Sequence, residues 1–138
     1  MKDIFILDAC ALIAFLSDET GADNVERCLK DAENGKCKIF MHRINLLEIF
    51  YGIYREEGEE KADEVLERIL KLPIKIINTV KNKVFKEAGR LKATYKISLA
   101  DSILLGETSI LKARVLTSDH HEFDIIEEKE SFDFSWIR

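Results

Sequence analysis

The sequence predicts an α/β sandwich built on a mainly parallel sheet of four to five strands. Three observations predict it. The chain opens on Ile4, Phe5, Ile6 and Leu7, an unbroken apolar run of the kind found in strands covered on both faces. Further short apolar runs are separated by one or two stretches of helical periodicity, and parallel neighbours need such crossovers. Asp8 and Asp119 closely follow two of these runs, at the strand ends where open α/β sheets bind ligands.

Strand one ends at Asp8, and a short apolar helix follows near Ala11 to Leu16. Ala22, Val25, Leu29 and Ala32 then recur at helical spacing and stop before Asn34-Gly35, a helix-ending pair. Ile39 to Met41 reads as strand two. Two helical patterns follow, Ile44 to Tyr54 and Glu59 to Leu70, the second with Ala62, Val65, Leu66 and Ile69 as its inward stripe. Pro73 closes the pair, and Ile74 to Ile77 is the third strand. Thr79 is the expected cap of a helix whose apolar positions Val80, Val84, Ala88, Leu91 and Tyr95 keep period 3.6. Ser98 starts another helix, to about Lys112, and Arg114 to Leu116 is strand four, feeding a loop that begins at Thr117. Phe132 to Ile137 alternates as a closing edge strand.

A chain of 138 residues, 46% hydrophobic and 34% charged with one proline and six glycines, fits one globular domain spanning 1–138. Its longest apolar stretch, Ile4 to Leu16, is interrupted by Asp8 and falls short of the roughly 20 residues that cross a bilayer. No membrane segment is expected. Asp3 and Asp8 also spoil a secretory signal, so a cytoplasmic protein is expected. Cys10, Cys28 and Cys37 are odd in number and lack metal-type spacing, and read as apolar fillers. The net charge of −5 is unevenly spread. Lys81, Lys83, Lys86, Arg90, Lys92 and Lys96 face only Glu87 in their stretch, which leaves one basic face.

The chemistry-bearing residues are acids set among apolar neighbours. Asp8 is the only charge between Ile4 and Leu16; as an N-cap it has a structural explanation, but a carboxylate at a buried strand end is costly without a cation or hydrogen bonds. Glu48 shares a helix face with Ile44, Leu47 and Tyr51, and Asn45 points the same way. Asp101 stands at capping-box spacing from Ser98, yet Ile97, Leu104 and Leu105 surround it. Asp119 follows the hydroxyls of Thr117 and Ser118 and is equally readable as a turn acid. In the same loop, Asp124 ranks ahead of Glu122, His120 and His121 as a supporting group. Four acids at one end of one sheet repel one another unless cations neutralise them. Carboxylate ligation without a His/Cys set suits Mg²⁺ or Mn²⁺ rather than zinc. A small metal-dependent nuclease is the expected function.

The segments LDACALIAFL with Asp8, INLLEIFYG with Asn45 and Glu48, ISLADSILLG with Asp101, and LTSDHHEFD with Thr117, Ser118 and Asp119 together resemble the PIN domains, and among them the VapC toxin ribonucleases. One departure is that Ala9 and Cys10 stand where the family often has Thr, Ser or Asn shortly after the first Asp. The resemblance implies a Rossmann-like three-layer α/β/α fold and Mg²⁺- or Mn²⁺-dependent cleavage of RNA. It also implies homodimers inhibited by an antitoxin protein. On this reading Asp8, Asp101 and Asp119 ligate one or two metals, Glu48 bridges directly or through water, and metal-activated water cleaves the phosphodiester. The helix bearing Lys83, Lys86 and Arg90 is the candidate RNA-backbone contact. The rivals are a catalytically silent protein-binding module of the same fold, with Phe50, Tyr51 and Tyr54 serving its partner, and an RNA-processing nuclease without an antitoxin. A haloacid-dehalogenase-type phosphotransferase wants a second Asp at the position of Cys10.

Overall fold

The computed structural model describes residues 2–138. Strand β1 (Asp3–Leu7) leads into α1 (Ala9–Leu16) and α2 (Ala22–Glu33); β2 (Cys37–His42) leads into α3 (Arg43–Glu57) and α4 (Glu59–Leu70). Then come β3 (Lys75–Ile77), α5 (Asn82–Thr94), α6 (Leu99–Leu111), β4 (Arg114–Thr117), α7 (His120–Lys129) and β5 (Asp133–Trp136). The five strands form one sheet in the order β3-β2-β1-β4-β5, and every pairing is parallel.

Side-chain alternation explains why the sheet is sandwiched. Phe5 and Leu7 of β1, Ile39 and Met41 of β2 and Leu116 of β4 pack into a core shared with α1 to α4. Their neighbours Ile4, Ile6, Phe40 and Val115 enter a second core with Leu91, Leu104, Phe123 and Ile126 from α5, α6 and α7. Each of the wholly buried Ile6 and Leu7 contributes on the order of 2 kcal/mol through apolar area removed from water. The three-layer architecture with a parallel sheet is thus the one the apolar runs predict.

Two elements differ from expectation. The fifth helix starts at Asn82 with Lys81 as its cap position, not at Thr79, whose carbonyl accepts a hydrogen bond from His42 Nε2 at 3.0 Å. That bond belongs to the tautomer fixed by Ile44 N–H, which donates to His42 Nδ1 at 3.0 Å. The segment after β4 is a helix rather than a loop. Only Phe123 and Ile126 of α7 are buried, too short a stripe to show periodicity among its charges.

The topology itself marks a binding place. From β1 the chain winds outward through β2 and β3, then returns to the other side of β1 as β4. The carboxyl ends of β1 and β4 therefore flank the point where the strand order reverses. Asp8 N–H donates to the Leu116 carbonyl at 3.3 Å and locks these two ends together.

Candidate metal centre

Two adjacent strands deliver the first pair of acids. Asp8 follows β1 directly and caps α1, its Oδ1 accepting the Ala11 N–H at 2.8 Å. Its Oδ2 accepts the Thr117 hydroxyl at 2.5 Å. Thr117, the buried last residue of β4, also accepts the Asp119 N–H on Oγ1 at 3.0 Å. One hydroxyl thus couples both acids. Asp119 caps α7, with Oδ1 accepting the Glu122 N–H at 3.1 Å, while its Oδ2 lies 3.9 Å from Cys10 Sγ. One ligand atom from each of Asp8, Cys10 and Asp119 lies within 4.8 Å of the others.

Helices α6 and α3 bring the second pair. Ser98 Oγ accepts the Asp101 N–H at 3.1 Å, as a capping box requires, but the return bond to Ser98 N–H comes from Glu122 Oε1, also at 3.1 Å. The Asp101 carboxylate is thereby released from capping. It is 7% exposed and accepts no hydrogen bond among the described residues. Glu48 is half-buried and receives Asn45 Nδ2 at 3.3 Å, whereas Asn45 Oδ1, wholly buried, has no partner among the described residues.

The electrostatics follow from this placement. Burial drives the Asp8 carboxyl up to about 7, against the pull of its Thr117 and Ala11 hydrogen bonds and with a push from Asp119 and Glu48. Burial likewise raises Asp101 to about 8, reinforced by the charges of Asp8, Glu48, Glu122 and Asp119. Glu48 is raised by burial, opposed by Asn45 and assisted by Asp119 and Glu122. Burial and the same acids push the Cys10 thiol up to about 12. Such a cluster gives up a repulsion when a cation enters it.

The four acids Asp8, Glu48, Asp101 and Asp119 therefore gather at the carboxyl end of the sheet, the first and last within reach of one ion. Ser118 is half-buried, and its carbonyl accepts the His120 N–H at 3.0 Å. Asp124 is exposed, and its Oδ1 lies 2.8 Å from His120 Nδ1. Glu122 takes the place expected for it, and the signal for it was the Asp-x-x-Glu spacing that opens a helix. Arg90 is engaged within the fold. Its guanidinium is bound to Glu87 and Glu130 at 2.8 Å each, and Tyr95 Oη donates to Glu130 at 2.5 Å. Those acids compete with any phosphate for it, while Lys83 and Lys86 remain exposed.

The donor set fits a divalent cation. Asp101 is a largely buried carboxylate with no hydrogen-bond partner among the described residues, and the facing groups are predominantly oxygens, which suits a hard ion. Asp8, Cys10 and Asp119 each offer one ligand atom to a common point, and Asp101 and Glu48 are coupled to these acids through their charges.

A family model described as PIN domain matches residues 5–129. No curated protein sequence matches the chain significantly. Among solved structures, DNA-bound VapBC from Salmonella typhimurium is similar with a TM-score of 0.76 at 16% identity, covering 100% of both chains. VapBC2 from Rickettsia felis, bound to a promoter DNA fragment, gives 0.72 at 18% identity, covering 96% of this chain and 97% of that one. VapC20 from Mycobacterium tuberculosis, a sarcin-ricin loop cleaving toxin, gives 0.64 at 12% identity, covering 93% and 96%. At such identities the likeness is one of fold.

Proposed function

Because the chain belongs to the PIN domain family, we propose that its acidic centre is that of a Mg²⁺- or Mn²⁺-dependent endoribonuclease, the toxin of a VapBC-type toxin–antitoxin pair. The observation that carries this reading is the meeting of Asp8 and Asp119 across the switch point, with the largely buried Asp101 feeling the charges of both. The bound cation would supply Lewis-acid activation of water and neutralise charge gathering on the scissile phosphate.

The chain's own residues do the rest. Thr117 holds the Asp8 and Asp119 groups in fixed relation through its hydroxyl. Glu122 spares Asp101 from capping, and Asn45 orients Glu48. Glu48 in its carboxylate form takes a proton from the attacking water, burial having raised its proton affinity. Lys83 and Lys86 are free for the RNA backbone.

The VapBC complexes among the similar structures support an antitoxin as partner, and the exposed Leu47, Tyr51, Tyr54 and Leu70 of α3 and α4 offer it an apolar surface. A homodimer acting in the cytoplasm belongs to the same reading. No helix among the described residues is long and apolar enough to cross a membrane.

Cleavage of RNA by the purified chain under Mn²⁺ titration tests the activity, with Asp8→Asn expected to abolish it. Products carrying 3′-hydroxyl and 5′-phosphate ends support attack by water; 2′,3′-cyclic phosphate ends overturn it. Co-purification with the product of a neighbouring small reading frame tests the partner.

A further inference from the structure

The position two residues after Asp8 holds a thiol, not an oxygen, and this thiol faces the centre. Cys10 Sγ lies 3.9 Å from Asp119 Oδ2 and within 4.8 Å of a ligand oxygen of Asp8. We propose that Cys10 is a further metal ligand of this centre, one that raises its affinity for thiophilic divalent cations, of the Zn²⁺, Co²⁺ or Cd²⁺ class, while leaving that for Mg²⁺ little changed. The proposal concerns the same site as the nuclease reading and rests on that reading's assignment of a cation there.

Asp101 independently points to a cation at this place. It is 7% exposed, accepts no hydrogen bond among the described residues, and feels the charges of Asp8 and Asp119. Ligand geometry also permits the assignment. Around one tetrahedral Zn²⁺, bond lengths of about 2.3 Å to sulfur and 2.1 Å to oxygen put neighbouring ligand atoms roughly 3.6 Å apart. The 4.8 Å grouping needs only a modest inward movement, and Cys10 is a partly exposed side chain able to make it. Carboxylates alone suit Mg²⁺ or Mn²⁺, whereas an added thiolate favours Zn²⁺ and other soft ions. On binding, the S–H bond is exchanged for an S–metal bond and the proton leaves to solvent.

The other thiols make a clean contrast. Cys37 opens β2, pairs in register with Asp3 and donates to the Cys28 carbonyl at 3.6 Å. They lie at the opposite end of the sheet, roughly 16 Å away along β1.

Cobalt titration of the metal-stripped chain tests the proposal, read by the near-ultraviolet thiolate-to-cobalt charge-transfer band and by calorimetry. The band is expected in the native chain and absent in Cys10→Ser, whose Zn²⁺ affinity should fall at least about tenfold while Mg²⁺ affinity changes little. Cobalt binding without the band, or a band that persists in Cys10→Ser, overturns the proposal. RNA cleavage under Mn²⁺ on the same preparation separates the two readings. No band with cleavage intact removes the thiolate ligand alone; a band without cleavage under any divalent cation sustains the ligand and removes the nuclease.

Discussion

Raising the pH from about 5 to about 8 in the presence of a chelator is expected to destabilise this protein, and the four-acid centre sets the size of the effect. Asp8 ionises near 7 in the fold and Asp101 near 8, against 3.8 for each in the unfolded chain. Between those values the native state retains protons that the unfolded chain has released, so stability falls as pH rises. The loss is absent below the unfolded value and complete above about 8. The Asp8 rise alone corresponds to roughly 4 kcal/mol. Asp101 adds less than its own rise, because part of that rise comes from the charge of Asp8. A total on the order of 5 kcal/mol approaches the whole stability of an ordinary domain. Buried His42, held below its usual value, acts with the opposite sign at the acid end of this range. Comparison with Asp101→Asn cancels that contribution. The variant should flatten the profile and stabilise the chelated protein near pH 8 by roughly 1 to 3 kcal/mol, or about 4 to 10 °C in Tm. Urea unfolding followed by circular dichroism, with chelator and then with Mn²⁺, reads both. Stability that stays flat or climbs over this range in chelator, or an Asp101→Asn variant less stable than its parent near pH 8, would falsify the cost assigned to the cluster.

Other expectations follow from single contacts. Thr117→Val keeps the shape of a buried residue but strips a bond from Asp8 and leaves the Asp119 N–H unpaired; a loss of about 1 to 3 kcal/mol in urea and weaker Mn²⁺ binding by calorimetry are expected. Arg90→Ala breaks the half-exposed bridge to Glu87 and Glu130 and should lower stability by no more than about 1 kcal/mol, with RNA affinity unchanged in a filter-binding titration. Lys83→Glu combined with Lys86→Glu should weaken RNA binding in that same assay without moving Tm. Gly106→Val places a Cβ 2.9 Å from the Val84 carbonyl, where α5 and α6 meet, and should shift the urea midpoint by the equivalent of about 1 to 3 kcal/mol.

The layers of this fold were legible because the two-sided burial of β1 and the periodicity of α2, α4 and α5 are written in consecutive residues. The end of β2 and the start of α5 were not, because both depend on a contact between residues far apart in sequence. His42 reaches Thr79, and that bond keeps the segment before Asn82 extended. Arg90 looked like part of a basic face for the same reason. Its partner Glu130 is 40 residues away and is brought to it only by the packing of α7's end against α5. In α7, two buried apolar residues anchor a helix whose remaining positions face water, so its period was hidden and Asp124 could not be told from Glu122.

For three of the acids, capping and ligation looked like competing explanations in sequence. The structure makes them compatible by giving the two oxygens different work. Asp8 caps α1 with Oδ1 and Asp119 caps α7 with Oδ1, leaving each Oδ2 directed to Thr117 or toward Cys10. At Ser98 the work is divided between residues instead, since Glu122 supplies the return bond that Asp101 would otherwise make. Three helix N-termini, those of α1, α6 and α7, consequently meet at the carboxyl end of β1 and β4. Their partial positive ends favour the ionised form of these acids. Burial still wins at Asp8 and Asp101, whose carboxyls remain elevated, so the fold alone leaves a deficit of positive charge at this point. A divalent ion would meet that deficit with two charges at once, which no rearrangement of caps or hydroxyls within the chain can do.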